Sequence, residues 1–199
     1  TNYCGYQVQR NGISIAQVLQ NAIEKVVQKR EPIVGCSRTD SGVHANQYFF
    51  HMLTECAIPC ERMVLALNRH LPRDVAVLSC REVPLDFHAR YSCVGKEYLY
   101  KIWHSRCKNP FEEDLSFHYP YKIDYDKLHS AAQEFVGTHD FRAFCSSGAD
   151  AETILLTKQK KKILRERVVG TYNLVQSIAR PEVKEPEVPS GAFAYFCHC

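Results

Sequence analysis

The sequence predicts an α+β fold with a largely antiparallel sheet. Two segments, near residues 14–29 and 124–136, repeat apolar residues with the period of an amphipathic helix, and several segments between them alternate apolar and polar residues as half-buried strands do. Helices and strands do not follow one another in the strict order of a parallel βαβ sheet. Two comparable helix-on-sheet halves meet near residues 84–93, which divides the chain into residues 1–90 and 91–199.

The first helix is expected from about residue 14 to residue 29. Ser14 and Gln17 have the spacing of a capping box, in which side chains satisfy free N–H groups of the first turn. A stripe of apolar residues follows one face of this helix and predicts the side that packs on the core: Ile15, Val18, Leu19, Ala22, Ile23, Val26 and Val27.

Four strands and two further helices complete the predicted order. The strands lie at about 33–37, 47–54, 75–83 and 96–104. A helix near 60–69 follows Pro59. The helix at 124–136 begins after Asp124 as its cap and stops at Gly137.

The composition is typical of an intracellular globular protein. No apolar run approaches the roughly 20 residues that span a bilayer, and no signal-peptide pattern opens the chain, so we expect a soluble protein of the cytoplasm. The ten cysteines are expected to be reduced, partly buried thiols, because 199 residues is large for a scaffold stapled by disulfides.

The net charge of +3 is too small to indicate a nucleic-acid binder, but the basic residues are unevenly distributed. Six of them crowd into ten residues: Lys158, Lys160, Lys161, Lys162, Arg165 and Arg167. A surface with such a cluster attracts phosphates, with an affinity that falls as salt rises. A solvated face without a ligand is the alternative for a lysine run of this kind.

The segment 35–45 has the composition of a site at the end of a strand. Asp40 stands among small polar residues just after a β-branched run, so its carboxylate is expected at the rim of a sheet, where a substrate can reach it. Arg38, two residues earlier on an extended backbone, is expected on the same side and would hold the carboxylate ionised. Taken alone, an Asp-Ser-Gly triplet more often forms an Asx turn.

Residues 38–45 resemble the active-site signature R-T-D-x-G-V-H-A of the TruA-type tRNA pseudouridine synthases. Further segments resemble other motifs of that family, in the family's order: 5–9 its G-W-Q-x-Q, 67–72 its L-N-x-x-L-P, 87–91 its F-H-A-R-F, 98–102 its Y-x-Y-x-I and 137–144 its G-x-H-D-F-x-x-F. The resemblance runs nearly without interruption from residue 1 to about residue 148.

This resemblance implies a fold, an activity and partners. The fold is that of the pseudouridine synthases, in which two similar halves of helices on antiparallel sheet enclose a central cleft. The activity is the isomerisation of uridine to pseudouridine in the anticodon arm of tRNA, just 3′ of the anticodon, without a metal or another cofactor. The family acts as a homodimer whose two subunits share one tRNA.

The resemblance also implies roles for single residues. Asp40 is the catalytic carboxylate, which can attack C1′, take a proton from C2′ or stabilise an oxocarbenium-like state while the C1′–N1 bond breaks; these roles stay open. Tyr98 is expected to stack on the base and relay the C5 proton. Arg38 is expected to fill the space of the flipped base or to hold its phosphate. The other expected RNA contacts are Thr39, His44, Arg69, Arg90 and Arg167.

The family pattern is disrupted after about residue 150. The family has an apolar segment F-L-x-x-M-V-R there, whose arginine pairs with the catalytic carboxylate. One register puts Glu166 at the position of that arginine, with Arg165 and Arg167 beside it, and a strand–turn–strand over 163–175 is the competing register. Residues 189–193 resemble the closing strand of the family weakly. Segments absent from the beginning and from this region would explain the departure.

Two other classes of protein stay open. Asp40-Ser41-Gly42 matches the aspartic protease triplet; such an enzyme would have to be a dimer, and Arg38 would lower a pKa that its dyad needs raised. The other alternative is a metal-binding module or a non-catalytic RNA-binding module. Its candidate ligands lack a Cys-x-x-Cys pair: Cys56, Cys60, Cys197, His198 and Cys199.

Overall fold

The computed structural model describes residues 2–140, 155–165, 171–179 and 192–198, with side chains described as far as residue 140. The chain divides into two compact units, which are described separately below. The first comprises Thr1–Cys93 with Val183–Cys199, and the second Val94–Glu182. The fold combines helices with two sheets and belongs to the predicted α+β class.

The described residues contain the predicted helices and strands in the predicted order, together with strands that were not predicted, at Phe117–Tyr119 and Gly137–Asp140. The helices are α1 (Ile15–Val27), α2 (Cys60–His70) and α3 (Tyr125–Gln133), with a 3-10 turn at Pro110–Glu112. The strands are β1 (Ile33–Gly35), β2 (Tyr48–Leu53), β3 (Ala76–Val83), β4 (Gly95–His104), β5 (Phe117–Tyr119), β6 (Gly137–Asp140), β7 (Leu155–Arg165), β8 (Thr171–Ala179) and β9 (Ala192–His198). The predicted strands correspond to β1–β4, and the strand–turn–strand alternative over 163–175 falls on β7 and β8.

The sheet of the first unit has the strand order β1-β2-β9-β3, and its pairs are antiparallel. Strand β9 lies between β2 and β3 although it comes near the end of the sequence. The predicted boundary assigned residues 91–199 to the second half, whereas β9 completes the sheet of the first unit.

The core of the first unit lies between this sheet and the apolar faces of α1 and α2. Ser14 caps α1 as predicted, since its Oγ accepts the Gln17 N–H at 3.2 Å. Leu19 and Ile23 of α1 and Phe50 of β2 are at most 1% exposed. Three members of the predicted stripe lie half-buried at its edge: Val18, Val26 and Val27.

Asn68 joins α2 to β3. Its Nδ2 donates to the Val77 carbonyl oxygen at 2.8 Å, and its Oδ1 accepts the Val77 N–H at 2.8 Å. The register of β3 against β9 shifts directly after Val77, so the amide side chain serves both peptide groups of a residue at an irregular point of the ladder. This fixes the end of α2 that carries Arg69.

The sheet of the second unit has the order β5-β4-β8-β7-β6. Its pairs are antiparallel except β4 with β5, which is parallel. Strand β7 contains a bulge, because Gln159 pairs with Ser177 and Lys162 with Val175. Two residues of β7 therefore stand opposite the single residue Gln176.

Helix α3 begins after Asp124, as predicted, but ends at Gln133 rather than near residue 136. Asp124 accepts the Lys127 N–H at 3.1 Å. Beyond Gln133 the backbone tightens, since the N–H groups of Phe135 and Val136 bond to carbonyls three residues back. Gly137, at φ +110°, then turns the chain into β6.

Within the described part of the chain, no helix is long and apolar enough to cross a membrane. No group of three or more His, Cys, Asp or Glu side chains among those residues is arranged to hold a metal ion. The cysteines with described side chains are free thiols: Cys4, Cys36, Cys56, Cys60, Cys80, Cys93 and Cys107.

Candidate active site

Asp40 opens a turn in the loop between β1 and β2. The Val43 N–H donates to the Asp40 carbonyl oxygen at 3.3 Å, and Gly42, at φ +81°, is the third residue of this turn. A positive φ at that position is typical of a type II turn and explains the glycine. The Asp40 side chain is exposed, in agreement with a carboxylate that a substrate can reach.

The segment around Gly5 holds this loop from one side. The Tyr6 N–H donates to the Thr39 carbonyl oxygen at 3.1 Å, and the Ser41 Oγ donates to the Tyr3 carbonyl oxygen at 3.2 Å. Gly5 has φ +81°, and a Cβ there would lie 2.4 Å from the Thr39 carbonyl oxygen. Only glycine therefore permits the close approach of the two backbones.

Tyr48, the first residue of β2, holds the beginning of the loop. Its hydroxyl donates to the Ser37 carbonyl oxygen and accepts the Ser37 N–H at 3.3 Å. Its ring stacks on Tyr6 with 4.4 Å between centroids, and a Cβ at Gly35 would collide with the Tyr48 hydroxyl and with the Tyr6 ring. Burial raises the pKa of Tyr48 far above its ordinary value, so the hydroxyl keeps its proton.

A cavity of about 290 Å³ adjoins the loop within the first unit. Its walls combine apolar side chains with the amides of Gln7 and Gln20, and both Arg38 and Arg90 line it. Two guanidinium groups at one cavity favour an anion such as a phosphate.

The ion pair predicted between Arg38 and Asp40 does not form. Among the described side chains, no ion pair joins these two residues. Both side chains are exposed. Arg38 lines the cavity, whereas Asp40 is the first residue of the turn that ends at Val43. Thr39 contributes its carbonyl group to the loop contacts, and His44 is exposed.

The remaining predicted site residues lie in other parts of the chain. Arg69 is exposed on α2 and does not line the cavity of the first unit. Tyr98 is half-buried on β4 of the second unit, where it pairs with Gln176 of β8, the residue opposite the β7 bulge. Arg167 and Glu166 lie outside the described residues.

Sequence reasoning missed two histidines that bind the backbone next to Arg90. The Nδ1 of His51, on β2, accepts the Ala89 N–H at 3.1 Å. The Nδ1 of His88 accepts the N–H groups of Arg90 at 3.3 Å and Tyr91 at 3.4 Å. A polar residue inside the apolar run of β2 was the available signal for His51.

The sequence is similar to those of known proteins. Residues 1–92 match the family described as tRNA pseudouridine synthase. The chain is 40% identical over 164 residues to tRNA pseudouridine synthase A of Staphylococcus aureus strain JH1, an alignment that covers 82% of the chain and 61% of the relative. The chain belongs to the family of tRNA pseudouridine synthases. The protein of the same name in strain MRSA252 is 39% identical over 164 residues, with 82% of the chain and 62% of that protein covered.

The chain spans about 61% of the length of the tRNA pseudouridine synthase from strain JH1. The matched residues 1–92 include the Asp40 loop, Gly5 and Arg90. This membership favours the synthase interpretation of Asp40-Ser41-Gly42 over the aspartic protease alternative.

Proposed function

We propose that this chain isomerises uridine to pseudouridine in tRNA, with Asp40 as the catalytic carboxylate. The observation that carries the proposal is an exposed carboxylate on a loop whose backbone is fixed by Tyr6, Ser41 and Tyr48. A rigid support is what a reacting group needs, since misplacement by about 1 Å can cost about 100-fold in rate. The carboxylate assists cleavage of the C1′–N1 bond, after which the uracil turns and rejoins through C5.

Arg38 and Arg90 are proposed to receive the phosphates of the flipped nucleotide. A uridine inside a folded RNA has to leave its stack before a carboxylate can reach C1′, and its backbone then needs new partners. Two guanidinium groups at one cavity next to the Asp40 loop supply them. Thr39, His44, Arg69 and Arg167 complete the proposed RNA contacts.

Tyr98 is proposed to stack on the uracil and relay the C5 proton. On β4, Tyr98 pairs with Gln176 of β8, and Gln176 also lies opposite the β7 bulge. This position supports the proposed role, because bulges are enriched near active sites. The finer features of the family belong to this proposal as well: two similar halves with a central cleft, uridines of the anticodon arm as targets, a homodimer on one tRNA, a cytoplasmic location and no cofactor.

The Asp40→Asn variant tests the catalytic role. It keeps the volume of the side chain and removes its charge, so the release of tritium from tRNA containing 5-tritiated uridine should fall by about three or more orders of magnitude under single-turnover conditions. Binding of tRNA should be retained. Asp86→Asn, another exposed aspartate of the first unit, is the matched control and should keep the activity.

The outcomes separate the enzyme from its alternative. Full turnover by Asp40→Asn would overturn the assignment of the carboxylate. A wild-type chain that binds tRNA but releases no tritium would instead be a non-catalytic RNA-binding protein.

A further inference from the structure

The segment 87–92, which carries Arg90, is held by imidazole nitrogens rather than by a strand ladder. Three successive N–H groups, those of Ala89, Arg90 and Tyr91, all donate to histidine Nδ1 atoms. A backbone N–H can only donate, so both Nδ1 atoms have to be unprotonated and both rings neutral, with the proton on Nε2.

His51 reaches the segment from β2, 38 positions earlier in the sequence. Phe50 and Met52, its neighbours in the strand, point to the core on the other face of the sheet, and segment 87–92 covers the face that carries His51. The His51 ring lies against Phe87 and His88, with centroids 5.8 Å and 5.1 Å away. These ring contacts fix the direction in which Nδ1 points.

The bond to Ala89 is buried. Ala89 is 3% exposed and His51 9% exposed, so the N–H has no access to water as a substitute partner. An apolar residue at position 51 would suit a strand rich in aromatic and aliphatic side chains, but it would leave this donor unpaired. The polar residue is therefore explained by the segment it holds.

His88 closes the segment on itself. Its Nδ1 accepts from residues two and three positions ahead, as Asp and Asn side chains do in Asx turns. Its backbone N–H also donates to the Ser92 Oγ at 3.2 Å, and its carbonyl oxygen accepts the Ser92 N–H at 2.8 Å. The turn that presents Arg90 is thus fixed at both ends.

We propose that His51 and His88 are positioning residues that hold Arg90 at the RNA-binding cavity by accepting these backbone N–H groups. The proposal rests on the proposed function, in which Arg90 contacts a phosphate of the tRNA. It adds that the contact depends on two neutral imidazole rings. Burial, and then the neighbouring His88, lower the pKa of His51 and favour its neutral form. The residues paired with His51 in the flanking strands, Val34 and Ala194, do not titrate.

A matched pair of substitutions separates the acceptor from the volume of the side chain. Asn and Leu have the same branching, but Asn presents an oxygen near the position of Nδ1 and Leu presents a methyl group. His51→Leu should weaken tRNA binding by about three- to tenfold, as expected for the loss of one buried hydrogen bond. His51→Asn should rescue most of that loss. The effect should appear in KM, with kcat nearly unchanged at saturating tRNA.

The background Arg90→Ala tests whether His51 acts through Arg90. In that background His51→Leu should cost little further affinity, because the group that it positions is already gone. If His51→Leu weakens tRNA binding as much in the Arg90→Ala protein as in the wild type, the proposal is overturned. His88→Leu and His88→Asn repeat the test at a half-buried position that tolerates substitution better, which decides the question should His51→Leu fail to fold.

Nitrogen NMR of the histidine-labelled wild-type protein tests the geometry without RNA. The Nδ1 atom of His51 should show the chemical shift of an unprotonated nitrogen and a coupling across the hydrogen bond to the Ala89 amide. A protonated Nδ1 would overturn the present proposal and leave the proposed function intact. A wild-type chain that binds no tRNA would overturn the proposed function, whatever the state of the ring.

Discussion

The Asp40 loop (36–45) and the Arg90 segment (87–92) are both irregular parts of the first unit, but different groups hold them. The loop is fixed by peptide groups, a glycine contact and the hydroxyl of Tyr48, whose pKa is raised by burial. The segment is fixed by the imidazole rings of His51 and His88. Supports of the first kind do not change charge near neutral pH, whereas imidazole does.

Because different groups hold the two regions, changes in catalysis can be separated from changes in tRNA binding. A fault in the supports of the loop should displace the carboxylate and lower kcat, while a fault in the supports of the segment should displace a cation and lower affinity. Substitutions and pH can therefore act on one without the other.

Gly5→Ala should have the largest effect on the loop. The added Cβ would lie 2.4 Å from the Thr39 carbonyl oxygen at a φ that side chains rarely adopt, so the loop has to move. We expect kcat to fall by about 100-fold and the dissociation constant for tRNA to change little, measured by tritium release and filter binding. Gly95→Ala, at a glycine outside the left-handed region, is the control. Wild-type kcat in Gly5→Ala would show that the loop tolerates displacement.

Tyr48→Phe should have a smaller effect on the same loop. The ring still stacks on Tyr6, but the hydroxyl that serves both peptide groups of Ser37 is lost. We expect the free energy of unfolding to fall by about 1–2 kcal/mol, measured by urea titration, and kcat to fall by about tenfold. Tyr91→Phe removes the hydroxyl of an exposed tyrosine and should change neither quantity. A loss of affinity with unchanged kcat would contradict the division between the two regions.

Acid should act on the Arg90 segment first. The pKa of His51 is lowered in the folded protein, so between that value and the ordinary value of 6.5 the unfolded chain binds more protons. The stability contributed by neutral His51 is fully present above 6.5 and is lost as pH falls through the lowered value. Urea midpoints should therefore decrease on acidification, and tRNA affinity should decrease with them.

His51→Asn supplies the control for the pH series, because its acceptor does not titrate. Its urea midpoint should depend less steeply on pH than that of the wild type. Equal slopes for the two proteins would mean that groups other than His51 control the acid sensitivity.

The sequence predicted the Asp40 loop better than it predicted the contacts that hold the Arg90 segment. The Asp40 loop was predicted because its signature is contiguous and follows a strand, and α1 because Ser14 and the apolar stripe are local signals. The steric reason for Gly5 and the role of His51 depend on contacts between residues far apart in sequence, with Thr39 and Ala89, and no local pattern contains such a pairing. The insertion of β9 between β2 and β3 is likewise a long-range pairing.

The basic run 158–167 provides the smallest expected effect and tests how much of the binding lies outside the first unit. In β7, Lys160 and Lys161 form the bulge opposite Gln176, and Lys162 follows directly. Neutralising these three lysines to glutamine should weaken binding of cognate and non-cognate RNA alike, because lysines contact phosphates without reading bases. The slope of log affinity against log salt should flatten by up to about 0.9 for each phosphate that a lysine no longer neutralises.

Glutamine substitutions of Lys25, Lys108 and Lys122 remove the same charge from exposed positions elsewhere and serve as the control. If both triple variants flatten the slope equally, the effect is one of net charge and the bulge has no particular part in binding. An unchanged slope in the β7 variant would assign the phosphate contacts to Arg38 and Arg90. The affinity would then depend on the Arg90 segment and its two histidines, and acid should weaken binding in the β7 variant as strongly as in the wild type.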